Sequence, residues 1–218
     1  MKELNGWFIP EYDNPDKLKM VLNNQFQCEV GLNQAFKYVK KFDKAIDVGA
    51  WIGDSTVIIS KKFKQVEVFE PVDQVAECCI KNLTVRNINN FNLHKIGLSN
   101  IKGQQILINK GKSFSGWIST VESVTSKKST IVNTDLLDSY NFTDIDFIKI
   151  DVDSHEGFLL KGALNFFEKN NPVIMIESKL KDQQKYQDLS MPEPLKFLEK
   201  LGFKIREKSG KADYILTR

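Results

Sequence analysis

The sequence predicts an α/β fold, a mostly parallel sheet with helices on both faces. Three observations carry this. From residue 44 onward short apolar runs alternate with longer segments of helical periodicity, the pattern of parallel strands joined by helical crossovers. Near the C-terminus two apolar runs flank Lys208-Ser209-Gly210-Lys211, a hairpin that puts one antiparallel strand into the sheet. At 218 residues the chain is also long enough to bury a full core without staples.

Residues 1–43 carry two weakly helical segments, 15–24 and 28–41, the second with apolar Val30, Ala35, Phe36 and Val39. They are expected to form an N-terminal extension or lid on a domain spanning 44–218. In that domain Ala45-Ile46-Asp47-Val48 reads as a strand and 54–63 as a helix. Val66 to Phe69 is the next strand, 73–86 the next helix, and Phe91 to Ile96 the third strand. Gln105 to Ile108 reads as an inserted or edge strand, and the Ser/Gly/Thr/Lys-rich stretch 109–130 as a mobile loop with a strand inside it. Ile145 to Ile150 is a core strand, followed by a helix over 156–169 and a strand over Val173 to Ile176. A helix over 192–201 has Pro192 and Pro194 near its start, where a missing N–H does little harm. Gly202 to Arg206 and Asp213 to Thr217 complete a seven-stranded sheet as the hairpin.

A hydrophobic content of 41% with 27% charged residues fits a soluble globular domain. The net charge of +3 is too weak to argue for nucleic acid or membrane. Met1 to Gly6 has no apolar h-region, and runs such as Val173-Ile174-Met175-Ile176 are far too short to span a bilayer. Three cysteines, two of them adjacent, make no disulfide framework, and two histidines without a CxxC pair argue against structural zinc. A reduced, cytoplasmic setting is expected, with no membrane partner and no metal.

Ligands of such sheets bind outside the carboxyl ends of the strands, so the strand ends decide function. After the first strand comes Asp47-Val48-Gly49-Ala50-Trp51-Ile52-Gly53-Asp54-Ser55. It is neither a G-x-G-x-x-G fingerprint nor a P-loop, and by itself it reads as a tight strand-to-helix turn. Asp47 is harder to dismiss, because a carboxylate in an apolar strand wants donors or a cation. The second strand ends in Glu70-Pro71, where nucleotide-binding α/β folds grip a ribose diol. An ordinary acid favoured by a helix dipole explains Glu70 equally well alone; in register with Asp47 and Gly49 the ribose reading wins. The most apolar strand runs into Asp146-Phe147-Ile148-Lys149-Ile150-Asp151-Val152-Asp153-Ser154-His155-Glu156-Gly157. Buried charge costs several kcal/mol per ion unless a partner answers it, so three carboxylates and an imidazole at this strand end ask for one.

The glycine turn, Glu70-Pro71, Lys81-Asn82-Leu83, Gly97-Leu98-Ser99, the Asp146–Glu156 strand end and Leu160-Lys161-Gly162-Ala163 follow in order. This series resembles the FkbM family of S-adenosylmethionine-dependent O-methyltransferases, over about residues 44 to 180. The strand ending in D-V-x-x-H-E and the helix reaching L-x-G-A are the specific part. The resemblance implies a Rossmann-like class I methyltransferase fold and S-adenosyl-L-methionine as cofactor, leaving S-adenosyl-L-homocysteine as product. It implies that Asp47 and the turn of Gly49, Ala50, Trp51, Gly53 and Ser55 face the amino-acid part of the cofactor. Glu70, followed by Pro71, would hold the ribose, Leu98 and Ser99 would flank the adenine, and Asn82 would lie near its rim. Asp151 would face the cofactor's amino group or the acceptor hydroxyl, with His155 and Glu156 in reach of the acceptor and His155 the better base by its ordinary pKa.

Asp153 is expected to point away from Asp151, and the Asp153-x-x-Glu156 spacing suits helix capping. A divalent ion on Asp151, Asp153 and His155 is the weaker alternative. Glu177 is a further acid at a carboxyl edge, for acceptor, cofactor or solvent; His94 has no partner by spacing and reads as structural. The family usually has Asn where Trp51 stands and Gly where Ser154 stands, so these two turns are expected to be reshaped. The acceptor is expected to be a sugar, glycan or related small molecule, covered by the 109–130 loop with Phe114 and Trp117. The alternatives are an RNA ribose methyltransferase using Lys149 or Lys179 beside Asp151, and a cofactor-binding module without turnover.

Overall fold

The computed structural model describes residues 1–11, 15–26, 28–109, 116–119, 129–179 and 193–218. An antiparallel hairpin of β1 (Lys2–Leu4) and β2 (Trp7–Ile9) precedes α1 (Pro15–Leu22) and α2 (Cys28–Ala35). The first half of the main domain is β3 (Lys44–Val48), α3 (Asp54–Ser60), β4 (Gln65–Phe69), α4 (Asp73–Thr84) and β5 (Phe91–His94). Next come β6 (Gly97–Leu98), β7 (Gly103–Asn109), β8 (Gly116–Ser119), β9 (Ser129–Asp135) and a 3-10 helix at Leu137–Tyr140. The second half is β10 (Phe147–Ile150), α5 (Glu156–Lys161), α6 (Leu164–Lys169), β11 (Val173–Glu177), α7 (Pro194–Lys200), β12 (Lys204–Ser209) and β13 (Asp213–Thr217).

Seven strands form the central sheet in the order β12-β13-β11-β10-β3-β4-β5, with β13 antiparallel to both its neighbours and the other pairs parallel. From β3 the chain winds outward to β5, then returns to β10 on the other side of β3. This reversal leaves a crevice at the carboxyl ends of β3 and β10, the switch point of a doubly wound sheet.

The central strands are apolar on both faces, and alternation divides their side chains between two cores. Ala45, Phe147, Val173 and Met175 pack with Trp7, Leu32, Ala35 and Ile59 on the side of the hairpin, α2 and α3. Ile46, Ile148, Ile150 and Ile174 pack with Leu159, Leu160, Phe167 and Leu198 on the side of α5, α6 and α7.

Several elements differ from their sequence expectation. The 28–41 segment is helical only to Ala35 and continues as turns, and the 54–63 helix ends at Ser60. The 156–169 helix breaks between α5 and α6, where Gly162 lies against the backbone of Ser99. Residues 2–9, with no strand expected, pair with each other as a hairpin, and Asn82, far along the chain, holds it: Phe8 N donates to Asn82 Oδ1 at 2.7 Å, and Asn82 Nδ2 donates to Phe8 O at 2.8 Å. Gln105 to Ile108 belongs to β7, which joins a separate four-stranded sheet, β6-β9-β7-β8. Within the expected 109–130 loop, residues 110–115 and 120–128 lie outside the described residues, Phe114 among them, and Trp117 falls on β8. Among the described residues, no helix is long and apolar enough to cross a membrane.

Candidate active site

A cavity of about 280 Å³ opens at the carboxyl ends of β3, β4, β10 and β11. Its floor is the turn after β3. Gly49 has φ 77°, and a Cβ there would stand 1.8 Å from the Asp151 carbonyl oxygen, so both conformation and space demand glycine. Gly49 N and Ala50 N donate to Phe69 O at 3.0 and 3.2 Å, tying the turn to the end of β4. Glu70 ties the same ends through its side chain: Oε2 accepts from Trp51 N at 3.1 Å and Oε1 from Val72 N at 3.0 Å. Glu70 and Pro71 both line the cavity, with Val72, Val75, Ile96 and Leu98 as an apolar wall beside them.

Asp47 does not line the cavity. It is fully buried beneath the turn, where Oδ2 accepts from the hydroxyls of Ser55 and Thr56, both at 2.7 Å. Its Oδ1 lies 3.3 Å from Lys149 Nζ, its register partner on β10. The expectation that Asp47 faces a ligand is therefore corrected: one residue inside the strand end, its side chain is still under the first turn of α3. Ala50 and Gly53 are buried behind the lining as well, whereas Gly49, Trp51 and Ser55 are part of it.

The end of β10 supplies Lys149, Asp151, Val152, Asp153 and His155 to the wall. Lys149 Nζ donates to Gly49 O at 3.3 Å and lies 4.0 Å from Asp151 Oδ2. Although burial opposes its charge, Asp47 and Asp151 hold its ammonium well above the ordinary lysine range. Asp153 also lines the cavity, contrary to expectation: the strand ends at Ile150, so strict alternation no longer applies, and Asp153 has φ 49°. The N-cap of α5 is His155, with no side-chain cap bond.

Glu156 is corrected in the same way. It is buried at 2% exposure, outside the lining, and its Oε1 accepts from Val152 N and Ser154 N, both at 3.2 Å. It braces the turn instead of reaching the acceptor. Burial, then the nearby Asp151, pushes its pKa up to about 8. Trp51 and Ser154 both hold left-handed backbone despite their Cβ atoms, at φ 49° and 84°. For residues with a Cβ this costs about 1–2 kcal/mol each.

His155 is 4% exposed, and its Nε2 lies 3.0 Å from Ser99 Oγ. Burial pushes its pKa down to about 4, so the ring is neutral at physiological pH. Ser99 itself is buried behind Leu98 and meets His155 instead of lining the cavity.

Beyond β10, Glu177 and Lys179 line the far side and hydrogen-bond each other. Burial, then Asp151, raises Glu177 to about 7, and the same two causes raise its register partner Asp213 to about 6. Met20 of α1 and Cys28 of α2 close the N-terminal side, with Cys28 Sγ 3.4 Å from Asp54 Oδ2. No local signal marked Met20 or Cys28. Lys149 has one, a lysine inside an apolar strand. Asn82 is removed from any adenine rim: fully buried, it also donates to Ile52 O at 2.9 Å. His94, expected to lack a partner, lies 2.8 Å from Glu67 Oε2. Among the described residues no group of three or more His, Cys, Asp or Glu is placed to hold a metal ion.

Residues 47–205 match the family model described as the methyltransferase FkbM domain. A Streptococcus mutans protein assigned as a methyltransferase and solved with SAH superposes with TM-score 0.54 at 14% identity, covering 88% of this chain and 96% of that one. The methyltransferase FkbM from Methylobacillus flagellatus KT superposes with TM-score 0.51 at 18% identity, covering 93% of this chain but 54% of that one. A Clostridium thermocellum protein assigned as an rRNA methylase reaches TM-score 0.56 at 12% identity, covering 87% and 93%. At these identities the common property is the fold. No protein of curated function matches the sequence.

Proposed function

The chain belongs to the FkbM methyltransferase family, and on that premise we propose that it methylates a hydroxyl of a sugar, glycan or related small molecule. It is an S-adenosylmethionine-dependent methyltransferase, and the lining of its cavity suits that donor. Glu70 lines the cavity just past the end of β4, the place at which a carboxylate accepts from a ribose diol in nucleotide-binding α/β folds. The wall of Val72, Val75, Ile96 and Leu98 gives the adenine an apolar surface. Asp151, 44% exposed at the side chain, is available to the donor's amino group. When bound, S-adenosylmethionine supplies a methyl group activated by its sulfonium.

The protein's own contribution is positioning, which carries most of the acceleration in a displacement of this kind, together with removal of the acceptor proton. His155 is the base in this reading. Its ring is neutral, buried and on the cavity wall, and Ser99 fixes its orientation. A general base reaches about a hundred- to ten-thousand-fold when its pKa lies near the working pH. Burial holds the His155 pKa at about 4, so its share is smaller and positioning carries more of the acceleration. Asp151 and Asp153 with Glu177 and Lys179 form the polar side of the cavity, where carboxylates accept from an acceptor rich in hydroxyls. The same acids would repel the phosphates of RNA, which favours a sugar over a nucleic acid. Helices α1 and α2 serve as a cover, through Met20 and Cys28.

The single observation that carries the reading is the placement of the buried His155 imidazole on the wall of the cavity that Glu70 also lines. Calorimetry with S-adenosylhomocysteine, then methyl release against sugar hydroxyls and RNA, tests it. Glu70→Ala should weaken binding strongly, and His155→Ala should spare binding and reduce turnover. Turnover on RNA with none on sugars would overturn the acceptor assignment, and unchanged binding by Glu70→Ala would overturn the ribose contact.

A further inference from the structure

Lys149 is a buried ammonium with donors to spare. Its side chain is 6% exposed, yet among the described residues it makes one hydrogen bond, to Gly49 O at 3.3 Å. Asp47 Oδ1 stands 3.3 Å away as a charge partner but receives no hydrogen bond, and Asp151 Oδ2 is at 4.0 Å. An ammonium carries three N–H groups, and a buried donor left without an acceptor costs about 1–3 kcal/mol. Because Lys149 lines the cavity, an anionic ligand group there would supply the acceptor that the protein does not.

We propose that Lys149 and Asp151 form a clamp for the amino-acid end of the methyl donor, the Lys149 ammonium binding its carboxylate and Asp151 its ammonium. This rests on the donor reading above. The two residues stand two positions apart, with opposite charges side by side, the pattern of a zwitterion in reverse. Glu70 follows β4 and Lys149 lies on β10, with β3 between them. Two strand spacings are about 10 Å, which suits the reach from the donor's ribose to its carboxylate. The carboxylate is the donor's one anionic group, so it is the part a cation recognises. Asp151 also offsets the repulsion between Lys149 and a sulfonium nearby.

A purely structural Lys149, present only to neutralise Asp47, would be indifferent to the ligand's carboxylate. Calorimetry separates the two roles with S-adenosylmethionine, its decarboxylated form, S-adenosylhomocysteine and methylthioadenosine, which lacks the amino-acid end. Wild-type protein should bind S-adenosylmethionine at least about tenfold more tightly than the decarboxylated form, as for a charge-assisted pair. Lys149→Met on an Asp47→Asn background, which leaves no unpaired buried carboxylate, should lose that preference and keep its affinity for methylthioadenosine. Asp47→Asn alone should retain the preference. Equal binding of the two donors by wild-type protein overturns the clamp and leaves the donor reading standing; this comparison needs no variant to fold. Failure of wild-type protein to bind S-adenosylhomocysteine overturns both.

Discussion

Gly162 lies so close to Ser99 that a Cβ there would stand 2.0 Å from the Ser99 carbonyl oxygen. Ser99 is thereby held at three points: Gly162 against its carbonyl, Asp135 O accepting from its N–H at 2.9 Å, and His155 Nε2 at 3.0 Å from its hydroxyl. The glycine of the L-x-G-A stretch thus acts on the imidazole through Ser99. Gly162→Ala is expected to displace Ser99, cost about 1–3 kcal/mol as an overpacking change, and lower kcat more than affinity for S-adenosylhomocysteine. Thermal unfolding and steady-state kinetics check this; wild-type values in both would detach Ser99 from the His155 role.

Ser154 keeps φ 84° without being glycine. Ser154→Gly removes the Cβ penalty and retains the N–H that donates to Glu156. The variant is expected to be more stable by up to about 1 kcal/mol, the strain relief of a left-handed site reduced by the greater freedom of glycine in the unfolded chain. A lower denaturation midpoint than wild type would contradict the strain assignment.

Asn82 joins three segments: β2 through Phe8, α4 on which it sits, and the glycine turn through Ile52 O. Asn82→Ala leaves these backbone groups short of partners, and a loss of about 2–3 kcal/mol is expected. Weaker binding of S-adenosylhomocysteine should accompany it, because Ile52 belongs to the turn under the cavity. Chemical denaturation and calorimetry read the two effects separately. A variant as stable as wild type would show that water replaces the amide.

Two buried groups beside each other tilt stability in opposite directions with pH. His155, lowered to about 4, binds a proton less readily folded than unfolded, so it makes stability rise from about pH 4 to 6.5. Glu156, raised to about 8 from 4.5, binds its proton more tightly when folded. Its contribution is full below 4.5 and is lost as pH climbs toward 8. Above about pH 6.5 only the second slope remains of the pair. Glu156→Gln keeps an oxygen for Val152 N and Ser154 N and removes the titration, so melting temperatures between about pH 6.5 and 8 should flatten. An unchanged slope would assign the decline to other groups.

Much of the architecture was legible because it is written in local pattern. Strand and helix periodicity, the glycine turn and the C-terminal hairpin are properties of neighbouring residues, and the seven strands came out in their sheet as read. The Glu70-Pro71 pair and the β10 exit were found at the cavity for the same reason. The break at Gly162 was not legible, since nothing within α5 announces that Ser99 will lie against it. His94 acquired Glu67 across a parallel pair 27 residues apart, a relation that spacing along one strand does not display.

By itself the sequence determined the order of strands and crossovers, and hence which segments end at one sheet edge. Only the tertiary structure decided what each side chain does there. Asp47 turned under α3, Glu156 folded back on its own turn, and Lys149 came onto the cavity wall beside a glycine carbonyl 100 residues away in the chain. The reason is physical: a backbone conformation answers to its near neighbours, whereas a charge answers to whichever partners and solvent the completed fold brings within a few ångströms.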